Sequence, residues 1–325
     1  MNRFAGVLSL LLLAMAQPAA ALDTQRSGSL LDAAPALTGP SYYLQGNGQP
    51  MADAFQTHIN QVAASPLDVV VLAASYGSAT DPTPECDLIV QLANVNSCQT
   101  LVMVRKSGAN DAANAAIVEA SEIVYFAGGD QCNYVGWKGS LVYNAVLGVV
   151  ARGGGIGGGS AGLAIQGDYV YDGCTGSVDS PAALKNPYAP AIHFTYDYFD
   201  WPPLKKLITD THFVERDRMG RLMAFLARQL QDGVTKKAYG LGIDADAAVV
   251  IDRNSQGLVF GGPAYVVYAD HPAVLCKAGK PLSYDDYKIW PLSPGTSFDF
   301  ATHAASGFYL RDVVKGKIQG DPYAP

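Results

Sequence analysis

Ser160 carries the strongest chemical signal in the sequence. It lies in the segment GGSAG, residues 158–162, which matches the G-x-S-x-G pattern of a nucleophilic serine. Such a serine sits on a sharp turn between a strand and a helix, where larger neighbours would clash with a strained backbone. The backbone N–H of Ala161, with one from Gly128 or Gly129, is expected to form an oxyanion hole. The pattern predicts acyl-transfer chemistry; the simpler alternative is a glycine-rich turn whose serine only caps a helix.

A histidine is needed as general base, and the sequence offers His58, His193, His212, His271 and His303. His212 stands out because its segment, DTHFVERDRMGRL at 210–222, places acidic residues on both sides of it. The same segment holds three arginines that could bind a substrate carboxylate through paired hydrogen bonds, namely Arg216, Arg218 and Arg221. Alternatively, these arginines pair with the neighbouring acids on a solvated loop.

Alternating strand and helix patterns surround Ser160. Residues 67–73 (LDVVVLA) and 122–126 (EIVYF) predict buried strands, and residues 134–152 predict an amphipathic helix. Such elements joined by short connections predict an α/β fold: a mostly parallel sheet with helices on both faces. Residues 247–268 add antiparallel strands in the C-terminal third. Catalytic groups in such sheets gather beyond the carboxyl ends of the strands, which is where Ser160 falls.

Composition narrows the class of protein. The net charge of −7 argues against nucleic acid and anionic membrane surfaces as partners. No internal repeat or low-complexity linker divides residues 22–325, so we expect one α/β hydrolytic domain. We expect no metal, since the sequence has no Cys-x-x-Cys motif or Cys/His cluster, and no other cofactor. A homodimer is left open as an assembly.

The first residues predict export. A positively charged start, an apolar stretch and the small-residue ending PAAA at 18–21 are typical of a cleavable secretory signal over residues 1–21. The apolar stretch is too short to span a bilayer, although an N-terminal anchor is the alternative. We therefore expect a secreted or periplasmic protein with no membrane contact after signal cleavage.

The cysteines fit an oxidising compartment, where one or two disulfides are expected. Cys86 with Cys98 would close a short loop, and Cys132 and Cys174 could tie two active-site loops together. Cys276 would then remain as the odd thiol. The alternative is that all five cysteines are reduced and buried.

Four segments together resemble one family, the cyanophycinase-like serine peptidases, whose relatives include the aspartyl dipeptidases. The segments are FAGGDQ at 126–131, GGSAG at 158–162, the 210–222 segment, and GLGID at 240–244. The fold of this family is similar to that of class I glutamine amidotransferases, with serine in place of the nucleophilic cysteine. The resemblance extends over about residues 68–252.

The resemblance implies that Ser160 is the nucleophile and His212 the base. It places Gln131 at the substrate together with Arg216, Arg218 and Arg221, and it gives Asp210 a supporting role. Thr211 stands on the substrate side, where cyanophycinases usually have glutamine. The resemblance therefore implies the type of reaction and leaves open whether cyanophycin is the substrate. The implied partner is an aspartyl peptide, and no cofactor is implied.

The acidic member of the triad is left open by these patterns. The segment after Ser160 offers three aspartates, Asp168, Asp172 and Asp179. We predict Asp179 because of its distance along the chain from the nucleophile.

The resulting prediction is an exported serine peptidase that hydrolyses aspartyl or isoaspartyl bonds through an acyl-enzyme, as in the release of β-Asp-Arg from cyanophycin. An esterase or lipase of the α/β-hydrolase type is the first alternative, with His271 or His303 as the base. Against this alternative, the sequence has no His-Gly-Gly-Gly segment upstream of Ser160, which such enzymes use as an oxyanion loop. A catalytically silent binding protein with the same fold is the second.

Overall fold

A computed structural model of the chain describes residues 24–74, 84–103, 105–303 and 306–325. The strands are β1 (Thr24–Gly28), β2 (Ser41–Gln45), β3 (Leu67–Ala73), β4 (Val95–Val102), β5 (Ile123–Phe126), β6 (Gly155–Gly159), β7 (Tyr169–Tyr171), β8 (Phe194–Tyr196), β9 (Leu207–Asp210), β10 (Ala238–Ile243), β11 (Ala247–Ile251), β12 (Gln256–Gly261), β13 (Ala264–Ala269), β14 (Tyr284–Leu292), β15 (Ser297–Asp299), β16 (Tyr309–Val314) and β17 (Lys317–Ile318). The helices are α1 (Ala52–Val62), α2 (Glu85–Ile89), α3 (Lys106–Ala109), α4 (Ala112–Ala120), α5 (Gln131–Val135), α6 (Leu141–Ala151), α7 (Ala161–Ala164), α8 (Ser180–Lys185) and α9 (Met219–Gln231), with a 3-10 turn at Pro202–Leu204.

The first sheet has the strand order β1-β4-β3-β5-β6-β2-β11-β12-β15. Its five central strands, from β4 to β2, are parallel to one another. Antiparallel strands extend it at both sides, with β1 beside β4 and β11 beside β2. The carboxyl ends of β5, β6 and β2 therefore meet at one edge of the sheet, and the segment after β6 begins with Ser160.

Both faces of this sheet are buried. Along β3, Val69 and Val71 pack on one face with residues of α1 and α2. Val70 and Leu72 point to the other face, where they pack with residues of α4, α6 and the second sheet. Side chains alternate between faces along a strand, so a strand covered on both sides needs an unbroken apolar run.

The second sheet has the order β17-β16-β14-β13-β10-β9-β7-β8. Strand β9 pairs in parallel with β7 and β10, and the other pairs are antiparallel. Helix α9 packs on this sheet with a separate apolar core that includes Leu222, Phe225 and Val267. Strand β9 ends at Asp210, and the chain then turns towards the edge of the first sheet that carries Ser160.

The predicted fold class is confirmed: a mostly parallel sheet lies between helices, and antiparallel strands are added in the C-terminal third. The predicted helix over 134–152 is instead two helices, because Gly139 has a φ of 75° and Ser140 caps α6 through the Tyr143 N–H. Residues 167–188, for which no element is predicted above, contain β7 and α8.

The boundaries proposed for the chain stay predictions. The signal segment, residues 1–21, lies outside the described residues, and the single hydrolytic domain over 22–325 is an expectation from the sequence. Within the part of the chain that the structure describes, the helices are too short or too polar to cross a membrane.

Candidate active site

Ser160 occupies a sharp turn between β6 and α7. Its φ of 51° and ψ of −114° lie outside the regions that residues other than glycine usually adopt. Its N–H donates to the Gln45 carbonyl at 3.1 Å, and its carbonyl accepts from the N–H of Ala164 at 2.9 Å. These contacts hold a strained backbone in place, as a nucleophile raised above a sheet requires.

The glycines of the GGSAG segment are explained by close backbone contacts. A Cβ atom on Gly162 would lie 2.0 Å from the Phe126 carbonyl oxygen. A Cβ on Gly158 would lie 2.5 Å from the carbonyl carbon of Gly162. Only glycine lets the turn pass this close to β5, so the motif has a packing reason as well as a chemical one.

His212 lies against Ser160. The Oγ of Ser160 and Nε2 of His212 are 3.1 Å apart, within hydrogen-bond distance. His212 is buried, and its N–H donates to the Gly46 carbonyl at 3.1 Å. The structure therefore brings together the predicted nucleophile and base, which are 52 residues apart in sequence.

Glu215 completes the arrangement. Its Oε2 lies 2.5 Å from Nδ1 of His212, the ring nitrogen opposite the one facing Ser160. The N–H groups of Val214 and Glu215 both donate to Oδ1 of Asp244 at 2.9 Å, which fixes the backbone that carries this carboxylate. Glu215 was missed in the sequence, although its i,i+3 spacing from His212 was a usable signal.

The structure corrects the expectation for Asp179. Its carboxylate accepts from the N–H of Ala182 at 2.8 Å and caps the N-terminus of α8. Its carboxylate is bound to the helix, whereas that of Glu215 contacts the Nδ1 of His212 that a triad acid must reach. Distance along the chain was therefore a poor guide, because a cap residue satisfies helix N–H groups and is not free to orient a histidine.

The remaining candidate acids and bases have other partners. Asp172 accepts from Thr195 and contacts Nδ1 of His193 at 2.6 Å. Asp168 accepts from the N–H of Lys206 at 2.8 Å. The late histidines stack on tyrosines, His271 on Tyr284 and His303 on Tyr239.

The predicted oxyanion donors line the same cavity as Ser160. Gly129 follows β5 with a φ of 133°, and Ala161 begins α7 directly after Ser160. A Cβ on Gly128, which precedes Gly129, would lie 3.6 Å from the Ser160 Cβ. The loop after β5 and the turn after β6 therefore lie close together. Gly129 and Ala161 thus flank Ser160 in one cavity, which is where an oxyanion hole needs its backbone N–H groups.

Asp210, Thr211, Arg218 and Arg221 form one buried polar cluster. Arg221 holds Asp210 with two hydrogen bonds, from Nε to Oδ2 at 2.8 Å and from Nη2 to Oδ1. Nη1 of Arg218 donates to both the carbonyl and the hydroxyl oxygen of Thr211 at 2.8 Å, and lies 3.7 Å from Asp210. Arg221 thus neutralises Asp210, and the cluster keeps one net positive charge.

The other predicted substrate residues lie at the rim. Arg216 is 52% exposed in its side chain, and its Nε lies 3.8 Å from Glu215. Gln131 begins α5 and donates to the Tyr171 carbonyl at 3.3 Å. Both line the same cavity as Ser160, of about 290 Å³.

A second cavity, of about 470 Å³, meets the first at Ser160. Its walls include Asn47, Gln49 and Glu85, and the two cavities share Gly129, Ser160, His212 and Arg216. A substrate could therefore extend on both sides of the nucleophile.

The predicted disulfides are both confirmed. Cys86 pairs with Cys98, and Cys132 pairs with Cys174, leaving Cys276 as a buried thiol. The second disulfide joins the start of α5, beside Gln131, to the loop after β7. The two loops that carry Gln131 and Gly173 into the cavity are therefore covalently tied.

Within residues 24–74, 84–103, 105–303 and 306–325, no three or more His, Cys, Asp or Glu side chains are grouped so that they could hold a metal ion. The chemistry that the described residues themselves support is proton transfer between Ser160 and His212, with Glu215 orienting the ring.

Comparison with known proteins finds similarity to cyanophycinases and to a solved peptidase structure. No protein-family model matches the chain. Two cyanophycinases, from Trichormus variabilis and a Nostoc species, are each 28% identical to it over 192 residues. The match covers 56% of this chain and 58% of each cyanophycinase, so the chain spans under two thirds of their length. The crystal structure of a peptidase from an acI-B1 Actinobacterium gives a TM-score of 0.53 at 14% identity, covering 82% of this chain and 98% of that one, and shares its fold.

Proposed function

We propose that this chain is a serine peptidase of the cyanophycinase-like kind, which hydrolyses aspartyl or isoaspartyl peptide bonds. The observation that carries the proposal is the continuous contact from Ser160 through His212 to Glu215. A serine, a histidine and a carboxylate in this order are the groups that acyl transfer requires. No cofactor is needed.

The proposed reaction has two halves. Nε2 of His212 takes the proton from Ser160 while Oγ attacks the scissile carbonyl, and the N–H groups of Gly129 and Ala161 stabilise the oxyanion. Glu215 stabilises the imidazolium that forms. The C–N bond then breaks as His212 gives its proton to the leaving amine. Water, deprotonated by His212, then attacks the Ser160 ester. The bond from the acyl carbon to Oγ breaks as His212 returns that proton to Ser160, and the acid is released.

The charges in the cavity favour an acidic substrate residue. Arg221 binds Asp210 through two hydrogen bonds, and Arg218 lies 3.7 Å from the same carboxylate. This cluster of two arginines and one aspartate keeps one net positive charge for a ligand. Arg218 is only 15% exposed, which strengthens its attraction for a carboxylate. An aspartyl residue that has only one of its two carboxyl groups in an amide bond keeps a free carboxylate beside the reacting carbonyl. We assign Arg218 as its partner, with Arg216 and Gln131 at the rim.

Export is part of the proposal. The sequence of residues 1–21 predicts a secretory signal, and the two disulfides are of the kind that form in an oxidising compartment. We therefore place the mature protein in the periplasm or outside the cell.

The substrate test uses the mature protein beside its Ser160→Ala variant. Each is incubated with cyanophycin, with β-Asp-Arg and with α-Asp-x dipeptides, and products are identified by mass. Release of β-Asp-Arg from the polymer, absent in the variant, is the expected result for a cyanophycinase. Cleavage of dipeptides alone would make the protein an aspartyl dipeptidase with the same mechanism. No cleavage of any substrate by the unmodified protein would overturn the proposal.

The pH dependence of kcat/KM should follow His212. Burial lowers the pKa of His212 below its ordinary value of 6.5, against the opposing effect of the hydrogen bond to Glu215. The base must be neutral, so activity is lost as the pH falls through this lowered pKa and is kept at pH values just below 6.5. A profile of kcat/KM against pH measures the inflection. An inflection well above 6.5 would contradict this expectation.

A further inference from the structure

The loop from residue 211 to residue 218, here called the His–Glu loop, carries the base, its acid and Arg218. Two of its residues, His212 and Asp217, have positive φ values of 47° and 46°. The side chain of Glu215 is 48% exposed, so little packing holds it against His212. The position of its carboxylate therefore depends on how firmly the backbone of this loop is fixed.

Tyr323, near the end of the chain, contacts this loop through its hydroxyl group. Its hydroxyl lies 3.2 Å from the Phe213 carbonyl and 3.0 Å from Oδ1 of Asp217, and it accepts from the N–H of Met219 at 3.1 Å. One hydroxyl thus meets the loop directly after His212, again before Arg218, and at the start of α9. More than 100 residues of sequence separate Tyr323 from these partners.

The tyrosine is itself held in place. Its ring packs edge-on against Phe213 and Tyr265, with centroids 6.0 and 5.5 Å away. The hydroxyl of Tyr265 donates to the Tyr323 carbonyl at 3.2 Å. Burial raises the pKa of the Tyr323 hydroxyl above its ordinary value, so it remains a hydrogen-bond donor at physiological pH. A fixed donor of this kind restrains its partners more than a mobile side chain would.

We propose that Tyr323 is a positioning residue for the reaction: its hydroxyl fixes the His–Glu loop so that Glu215 stays against Nδ1 of His212. The proposal rests on the proposed function, in which Glu215 orients the base. Backbone hydrogen bonds also hold the loop, from His212 to Gly46, from Phe213 to Ile243 and from Arg218 to Phe213. Two side chains outside the loop add to them: Asp244 accepts from the N–H groups of Val214 and Glu215, and Ser180 donates to the Asp217 carbonyl. Unlike these two side chains, Tyr323 contacts residues on both sides of Glu215, namely Phe213 and Asp217.

The test is Tyr323→Phe in the full chain, with Tyr309→Phe as the matched control. Tyr309 donates to the Pro322 carbonyl at 2.8 Å, so it also anchors the C-terminal tail through a hydroxyl but does not contact the loop. We expect Tyr323→Phe to lower kcat by about 10- to 100-fold, as small displacements of a catalytic group do. Tyr309→Phe should keep the unmodified kcat. An unchanged kcat for Tyr323→Phe overturns the proposal.

A double-mutant cycle separates positioning from general destabilisation. If Tyr323 acts through Glu215, Tyr323→Phe should have little further effect on kcat in a Glu215→Gln background. An equal loss in both backgrounds would mean that the tyrosine acts elsewhere and would overturn the proposal. If Tyr323→Phe fails to fold, Asp217→Ala removes the same contact from the loop side, and the same cycle applies.

An NMR measurement that needs no turnover distinguishes failure of the positioning role of Tyr323 from failure of the proposed peptidase function. The Nδ1–H proton of His212, hydrogen-bonded to Glu215, should give a downfield resonance in the proton NMR spectrum. We expect this resonance to be lost or shifted in Tyr323→Phe and kept in Tyr309→Phe. A kept resonance in Tyr323→Phe overturns the positioning role, whereas an unmodified protein that shows the resonance but cleaves no substrate overturns only the proposed function.

Discussion

Replacing His212 with alanine is expected to lower kcat by about 10⁴- to 10⁶-fold, because removal of one member of a catalytic triad removes most of its effect. Nε2 of His212 is 3.1 Å from Ser160 Oγ, so the variant leaves the serine without a proton acceptor. KM should change less, since the arginines that would bind the substrate carboxylate are untouched. Steady-state kinetics on an aspartyl substrate measure both constants.

His303→Ala is the matched control for this prediction. An esterase of the α/β-hydrolase type would use a late histidine, but the His303 ring stacks on Tyr239 at 3.8 Å between centroids. We expect its removal to leave kcat within about threefold of the unmodified protein, since its ring lies on Tyr239 and not against Ser160, and substitutions away from special features have small effects. Loss of activity with His303→Ala, and not with His212→Ala, would favour the esterase assignment.

Glu215→Gln is expected to lower kcat by about 10²- to 10⁴-fold, because glutamine cannot stabilise the imidazolium and does not enforce the same ring tautomer. The change keeps the shape of the side chain, and its exposed position makes a large loss of stability unexpected. The hydrogen bond from His212 also lowers the pKa of Glu215, which keeps this carboxylate ionised near neutral pH. Kinetics and thermal unfolding on the same sample separate the two effects.

Asp179→Ala provides the comparison for Glu215. Its carboxylate caps α8, so its removal should cost about 1 kcal/mol of stability and leave kcat nearly unchanged. Glu215→Gln should therefore lose activity and keep its unfolding temperature, whereas Asp179→Ala should keep its activity and unfold at a lower temperature. A greater loss of kcat in Asp179→Ala than in Glu215→Gln would restore Asp179 as the triad acid.

Much of the fold could be predicted from local patterns. The apolar run VVVLA at 69–73 predicted a strand buried on both faces, and the predicted bounds of 67–73 agree with those of β3 in the structure. The glycines around Ser160 predicted a tight turn, and close backbone contacts at Gly158 and Gly162 explain them. Such signals are readable because they depend on a few residues adjacent in sequence.

Local patterns were less informative about where one helix ends and the next begins, and about which distant strands pair. The run over 134–152 is apolar enough for one helix, yet Gly139 and the Ser140 cap divide it. The second sheet was also not anticipated, because its strands β7, β9 and β10 are short and separated by a long loop and a helix. Pairing of such strands is decided by packing over long distances.

The sequence by itself determined the class of the fold, the strained serine turn and the histidine segment, since each has a pattern within a few residues. Only the tertiary structure decided which acid reaches His212, which arginine is neutralised by Asp210, and which residue braces the loop between them. The Tyr323 contacts join residues more than 100 apart in sequence. The acid and the arginine lie within 11 residues of their partners, but their contacts depend on side-chain directions that the spacing does not fix. Asp179 and Glu215 each offer a carboxylate. The backbone between residues 211 and 218 places that of Glu215 against the imidazole of His212, whereas that of Asp179 caps α8.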